Sequence, residues 1–301
     1  MSDSPFQAFI APARVHPQLW RLLFGIVVLM AVFIGCIFIL LGVVWLIVGD
    51  DSALLWLDKM QGAVTPTSTL LLFATFIGLA LGAFAAARLL HQRRPATLFG
   101  PRARVIPDFF KAALCVLVIY AVSLVIWTRN FDAIPNLDLS LWLSFLPLAL
   151  IGLLVQTGAE ELVFRGYIQQ QLAARFASPL IWMVLPSILF GLVHLDPGTA
   201  GDNAWIVVAA ATFFGLVAAD LTARTGSIGA AWGFHFANNL LAITVLATDG
   251  TITGLALYLT PYTADQVSGV ILLSDIVITA LAWGACRLVL RVPSNSAPIQ
   301  E

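Results

Sequence analysis

Eight apolar runs constrain the fold of this chain more than any other feature. They are 19–48, 68–90, 109–128, 141–163, 179–195, 204–222, 227–247 and 268–290. About 20 consecutive apolar residues cross a bilayer as one helix. The chain is 60% hydrophobic and only 10% charged, which is too apolar for a soluble domain. The pattern predicts an all-α polytopic membrane protein with about eight transmembrane helices.

The basic residues predict the orientation, because cytoplasmic loops collect Lys and Arg. If the N-terminus is inside, only Lys59 and Arg129 of the 15 basic residues fall on the outer side. We therefore expect both termini in the cytoplasm, with the protein in the bacterial cytoplasmic (inner) membrane. The fifth and sixth runs are short, so seven helices with one re-entrant segment are the alternative. A net charge of −1 gives no indication of a nucleic-acid partner.

Three regions follow along the chain. Residues 1–130 are expected to form an N-terminal cytoplasmic segment and three transmembrane helices. Residues 141–247 carry the polar motifs described next, and residues 248–301 form the last helix and a cytoplasmic tail. The three cysteines are far apart in sequence and indicate neither a disulfide framework nor a metal site.

Rare ionisable residues are concentrated in the apolar runs between 160 and 239. Glu160 and Glu161 are adjacent at the end of the fourth run, while His194 and His235 lie in the fifth and seventh. Ionisable groups at membrane depth are costly and usually face a polar cavity. Glu160 and His194 each lie 17 residues from a turn near Ala177, so both should be about 25 Å from it. We expect a polar cavity among helices 4, 5 and 7, opening toward the cytoplasmic side.

Three i, i+4 pairs give these residues a common spacing that places both partners on one helix face. The pairs are Glu161 with Arg165, Phe190 with His194, and His235 with Asn239. Glu161 can form an ion pair with Arg165, and the Phe190 ring can support the His194 imidazole. The same reasoning expects Asn238 to point away from the cluster.

In order and spacing, the motifs EExxxR at 160–165, FxxxH at 190–194 and HxxxN at 235–239 resemble those of the CAAX prenyl protease / bacteriocin-processing (CPBP, Abi-type) intramembrane protease family. The resemblance covers about residues 141–247. It implies an intramembrane endopeptidase that hydrolyses a peptide bond of a membrane-associated protein or peptide. The catalytic residues it implies are Glu160, His194, His235 and Asn239. The supporting residues it implies are Glu161, Arg165 and Phe190.

The resemblance implies a role for each catalytic residue. Glu160 would act as the general base on a water molecule that His194 also orients. His235 and Asn239 would stabilise the oxyanion, an interaction often worth about 3 kcal/mol per donor. The expected partners are membrane lipid and the membrane-associated substrate, whose identity the sequence does not specify.

Three alternatives remain open at this stage. Glu160, His194 and His235 could form a His₂Glu zinc site, although no two histidines are spaced as in HExxH; the preferred interpretation has no metal or other cofactor. A proton-coupled transporter could use Glu160 as a relay, although no internal repeat supports one. A non-enzymatic membrane scaffold or immunity protein could retain the same residues.

Overall fold

The structure, a computed structural model, describes residues 4–49, 53–129 and 131–290, and these are mostly helical. The helices are α1 (Pro5–Ile10), α2 (Leu19–Val48), α3 (Ala53–Gly62), α4 (Pro66–His91), α5 (Arg102–Trp127), α6 (Leu139–Glu161), α7 (Gln170–Arg175), α8 (Leu185–Leu192), α9 (Pro197–Ala200), α10 (Ala204–Thr225), α11 (Gly229–Leu240) and α12 (Gly269–Val289). Three π-helical segments, Leu162–Gln169, Leu180–Val184 and Leu241–Val245, extend or precede these helices. The strands are β1 (Ile134–Pro135), β2 (Leu246–Asp249) and β3 (Tyr258–Thr263).

Six described helical segments are long and apolar enough to cross a membrane, so the expected all-α polytopic membrane protein is confirmed. The other two predicted runs are also helical, but they are shorter. One is Leu180–Leu192, and the other is α11 with its π-helical extension to Val245. The count of eight spans therefore stays a prediction. Large apolar side chains such as Phe38 and Leu288 are exposed on the outside of the bundle, as expected for a surface that contacts lipid.

The fourth predicted run continues well past its expected end at residue 163. Leu139–Arg175 is one continuous helical segment, with the π-helical stretch beginning directly after Glu161. Where this stretch ends and α7 begins, Gln169 and Gln170 are fully buried. The Gln170 side-chain amide donates to the carbonyl oxygens of Phe9 and Thr97. The N-terminal segment and the 92–101 connection therefore supply hydrogen-bond acceptors for a side-chain amide that would be costly to leave unpaired in lipid.

Helices α5 and α11 pack unusually closely because α11 presents glycines to its neighbour. A Cβ atom on Gly229 would lie 2.2 Å from the Val105 carbonyl oxygen, and one on Gly233 would lie 2.0 Å from that of Phe109. Any side chain at these positions would push the helices apart. The same register places His235 about level with residue 111 of α5.

A small mixed sheet closes one end of the bundle. Its strand order is β1-β3-β2, with β1 antiparallel and β2 parallel to β3. These strands lie in the connections from α5 to α6 and from α11 to α12. We call this end the sheet end. The opposite end, formed by the connections at 92–101, 176–179 and 226–228, is called the basic end because most of the Lys and Arg residues lie on its side.

Candidate active site

Glu160 lies at the end of a directed chain of side-chain amides. Asn238 Nδ2 donates to Asn239 Oδ1 at 3.0 Å. Asn239 Nδ2 donates to Gln156 Oε1 at 3.0 Å, and Gln156 Nε2 donates to Glu160 Oε1 at 2.8 Å. Every donor points along the chain toward the carboxylate. This direction places an acceptor, Glu160 Oε1, at the end of the chain.

His235 lies between the two adjacent glutamates. Its Nδ1 is 2.9 Å from Glu161 Oε1, and its Nε2 is 3.5 Å from Glu160 Oε2. The imidazole is buried, with the Phe214 ring centroid 5.0 Å away. A hydrogen bond from Nδ1 to Glu161 fixes the ring and leaves Nε2 facing Glu160.

Glu161 is completely buried and is held from two sides. Arg165 Nη1 donates to Glu161 Oε1 at 3.0 Å, so the predicted ion pair is present. Arg165 Nη2 also donates to the Gly215 carbonyl oxygen, and its guanidinium lies 4.8 Å from the centroid of the Phe190 ring. A buried ion pair with this number of partners fixes α6 against α8 and α10.

His194 lies in the turn that directly follows α8. Its Nδ1 donates to the Phe190 carbonyl oxygen at 2.7 Å, and the two rings are 4.7 Å apart. Phe190 therefore supports the imidazole, as the spacing indicated. With Nδ1 as the donor, Nε2 is the basic nitrogen of the neutral ring.

A cavity of about 500 Å³ joins these residues. It is lined by all four predicted catalytic residues, Glu160, His194, His235 and Asn239. The lining includes residues of predicted helices 4, 5 and 7, which contain the three motifs, but it is not restricted to them. Side chains of α5, α10 and α12 form the remaining walls.

The cavity was expected to open toward the cytoplasmic side, which the bias of Lys and Arg assigns to the basic end, whereas its lining extends toward the sheet end. From Glu160 its lining continues through Tyr120 and Trp127 of α5 to Tyr262 of the sheet. In the other direction the polar side chains of Glu161 and Arg165 are buried against their partners.

Two residues that line the cavity were not predicted from the sequence. Gln156 lies one turn before Glu160, and an amide in an apolar run at i, i+4 from a glutamate is a signal that could have identified it. Asn238 was expected to point away, but it lines the cavity and bonds to Asn239. Asn238 lies within the α-helical part of α11 and is turned about 100° from Asn239, so the cavity is wide enough to include both side chains.

The sheet end of the cavity contains a second titratable pair. Tyr262 of β3 and Asp275 of α12 both line it. Burial raises the pKa of the Tyr262 hydroxyl above its usual value, and the nearby Asp275 carboxylate raises that pKa further. The tyrosine therefore stays protonated and can donate a hydrogen bond at neutral pH.

The structure brings together no metal site in the part of the chain it describes. No three His, Cys, Asp or Glu side chains there are arranged to share a metal ion. Glu160 and His235 are neighbours, but His194 does not complete a ligand set with them. The zinc alternative therefore gains no support from the arrangement of these donors.

Comparison with known proteins agrees with the motifs. Residues 142–241 match the family model described as type II CAAX prenyl endopeptidase Rce1-like, which confirms the resemblance over the segment that contains all three motifs. The chain is also similar to the uncharacterized protein YyaK of Bacillus subtilis (strain 168), with 25% identity over 254 residues, covering 82% of this chain and 84% of that protein. No solved structure gives a significant match.

Proposed function

We propose that this integral membrane protein, which is Rce1-like over residues 142–241, is a CAAX-type intramembrane endopeptidase that activates water with Glu160. One observation carries the proposal. Glu160 lines the cavity, and its Oε2 is buried without a hydrogen-bond partner in the described chain, 3.5 Å from His235 Nε2. Glu161 Oε2 also lacks a partner there, but Glu161 does not line the cavity. A buried carboxylate oxygen rarely stays unsatisfied unless a ligand or a reacting group meets it.

The chemistry needs no group beyond these side chains and water. Glu160 removes a proton from a water molecule, and the hydroxide attacks the carbonyl carbon of the scissile peptide bond. The protonated Glu160 then transfers its proton to the leaving nitrogen as the C–N bond breaks. The products are one new carboxylate and one new amine, and Glu160 returns to its ionised form.

The other residues bind or orient the reacting atoms. His194 Nε2 accepts a hydrogen bond from the water molecule. Because its Nδ1 already donates to Glu161, His235 can donate from Nε2 only as an imidazolium; in that form it stabilises the developing oxyanion together with the second N–H of Asn239. Glu161 and Arg165 act beneath them as supports, since Glu161 holds His235 at Nδ1.

The cavity suggests the side from which the substrate enters. We expect both termini in the cytoplasm of a bacterial cell, with the protein in the inner membrane, from the bias of Lys and Arg toward the basic end. The cavity extends toward the other end. The substrate would therefore be a membrane-associated protein or peptide that reaches the site from the outer half of the bilayer, alongside the lipid on the exposed helices.

Cysteine accessibility tests this direction of entry. Thr248, which lines the cavity at the sheet end, is replaced by cysteine in a Cys-free background and treated with a membrane-impermeant maleimide on intact cells. We expect labelling at Thr248→Cys and none at the matched Thr97→Cys on the basic end. Labelling of Thr97→Cys alone would reverse the orientation.

Comparative membrane proteomics tests the activity itself. Membranes from cells that contain the wild-type protein or Glu160→Gln are compared for peptide fragments with new termini. We expect fragments that depend on wild-type protein, and their formation by purified protein should persist with a chelator present. Loss of cleavage on chelation and its return with zinc would replace the glutamate mechanism by the metal one. Identical fragment patterns in both strains would contradict the proposal.

A further inference from the structure

The acidic side chains that line the cavity face no Lys or Arg there among the described residues. These acidic residues are Glu160 and Asp275. A low-dielectric cavity with charge of one sign attracts ligands of the opposite sign. Glu160 is explained by the proposed function, but Asp275 is not.

Asp275 is the unexplained group. It lies in the second turn of α12, a helix apolar enough to cross the membrane. Its side chain makes no hydrogen bond or ion pair in the described chain and remains exposed to the cavity. One turn further along α12, Thr279 Oγ1 is instead hydrogen-bonded to the Tyr120 hydroxyl at 2.8 Å. A carboxylate at membrane depth is costly, and in other proteins such groups pair with a cation or serve a polar pathway.

The register between helices gives the distance from Asp275 to the reacting groups. Helices α5 and α12 run antiparallel, with Tyr120 beside Thr279 and Ala112 beside Cys286. Asp275 is therefore level with about residue 124 of α5, whereas His235 is level with about residue 111. A difference of about 13 residues at 1.5 Å per residue is about 19 Å along the cavity. An extended peptide covers that distance in about six residues at 3.3 Å each.

We infer that Asp275 forms a subsite for a basic side chain of the peptide substrate, about six residues from the bond that is cleaved. The inference rests on the proposed function for the position of that bond, but the binding subsite itself does not depend on turnover. Tyr262 and Ser123, which line the same end of the cavity, supply hydroxyls that can accept further hydrogen bonds from an ammonium or guanidinium group. The substrate class is therefore a cationic membrane-associated peptide.

Binding of matched peptides tests the subsite without cleavage. The probes are fluorescein-labelled 14-residue apolar peptides that contain one lysine or, as the neutral control, norleucine at the same position. The full-length Glu160→Gln protein is held in nanodiscs of uncharged phosphatidylcholine, which removes attraction by lipid charge. We expect the lysine peptide to bind about tenfold more tightly than the norleucine peptide, the size of effect that a charge-assisted hydrogen bond gives.

Variants assign that preference to one carboxylate. In the same background, Asp275→Asn should remove the preference, Asp275→Glu should retain it, and Asp275→Lys should reverse it. The matched control is Asp132→Asn, an exposed acidic residue of the sheet end outside the cavity lining, which should leave the preference intact. Equal affinities for the two peptides, or an unchanged preference in a folded Asp275→Asn protein, would overturn the inference.

A second experiment, which measures peptide cleavage by the protein with Glu160 restored, separates this inference from the proposed function. Moving the lysine along the peptide should move the cleaved bond with it, at a spacing of about six residues, and Asp275→Asn should raise KM rather than lower kcat. If lysine-dependent binding persists but no peptide is cleaved, the subsite stands and the proposed protease activity fails. If peptides are cleaved without regard to the lysine, the activity stands and the subsite fails.

Discussion

The two halves of the helical bundle contain similar polar residues but place them in opposite situations. Toward the basic end, each buried ionisable group has a partner: Arg165 binds Glu161, and Arg93 donates to Gln170. His91 has contacts at both ring nitrogens. Buried polar groups that are paired in this way stabilise one arrangement of helices.

Toward the sheet end, the ionisable groups face free volume instead. Among the described residues, Glu160 retains one oxygen without a hydrogen-bond partner, Asp275 makes no hydrogen bond or ion pair, and the one hydrogen bond of the His194 ring joins Nδ1 to a backbone carbonyl. The comparison teaches that residue type alone does not separate support from chemistry in this protein. Glu161 Oε2 and atoms of Arg93 and Gln171 also lack a partner in the described chain, so the separation lies in whether a side chain lines the cavity, as Glu160 does and Glu161 does not.

Breaking the buried ion pair of the basic half should have the largest effect on stability. Arg165→Met leaves the buried Glu161 carboxylate without its cation, and losing one partner of a buried ion pair typically costs about 3–5 kcal/mol. Thermal unfolding in detergent measures the loss. The exposed Arg175→Met on the same helical segment is the matched control and should cost far less. Similar losses in both variants would show that the buried pair does not stabilise the basic half.

A change on the boundary between the halves should affect turnover more than stability. Gln156→Leu removes the hydrogen bond to Glu160 and leaves Asn239 without its acceptor. Hydrogen bonds to charged groups contribute about 1.5–3 kcal/mol, so kcat should fall by about 10- to 100-fold.

The matched control for this change is Gln171→Leu, on the same helical segment. Its buried amide has no partner in the described chain, so turnover should stay unchanged and the unfolding temperature should stay equal or rise. A Gln156→Leu protein with full activity would remove the amide chain from the mechanism.

The smallest effect on stability is expected in the interior of the basic half. Tyr167→Phe removes only the hydroxyl that contacts His91 at 2.9 Å, which should lower the free energy of unfolding by about 1 kcal/mol and leave turnover unchanged. The exposed Tyr258→Phe serves as the control. If Tyr167→Phe reduced turnover at unchanged stability, the division between the two halves would be less sharp than the structure indicates.

Much of this arrangement could be predicted from the sequence, since it follows from helical spacing and the cost of charge in lipid. The i, i+4 rule identified the pairing of Glu161 with Arg165 and the support of His194 by Phe190. Counting residues from the turn near Ala177 predicted that Glu160 and His194 lie at one level, and both residues line the cavity.

The rest depends on packing between helices that are distant in sequence. The partnership of Gln156 with Asn239 depends on how α6 and α11 cross, and the inclusion of Asn238 depends on how wide the cavity is. The direction of the cavity depends on which side chains fill each end of the bundle. At the basic end, for example, the buried Gln170 side chain donates to the Phe9 carbonyl oxygen of the N-terminal segment. Hydropathy and local spacing contain none of this information.

The central claim is that Glu160 reacts while Glu161 supports, although the two residues are adjacent and identical in type. Measuring turnover and thermal stability together for Glu160→Gln and Glu161→Gln tests it most directly. The account predicts that Glu160→Gln lowers kcat by at least about 100-fold at a nearly unchanged unfolding temperature, whereas Glu161→Gln acts mainly by lowering that temperature because it frees Arg165. Wild-type turnover in Glu160→Gln, or loss of turnover only in a well-folded Glu161→Gln protein, would contradict it.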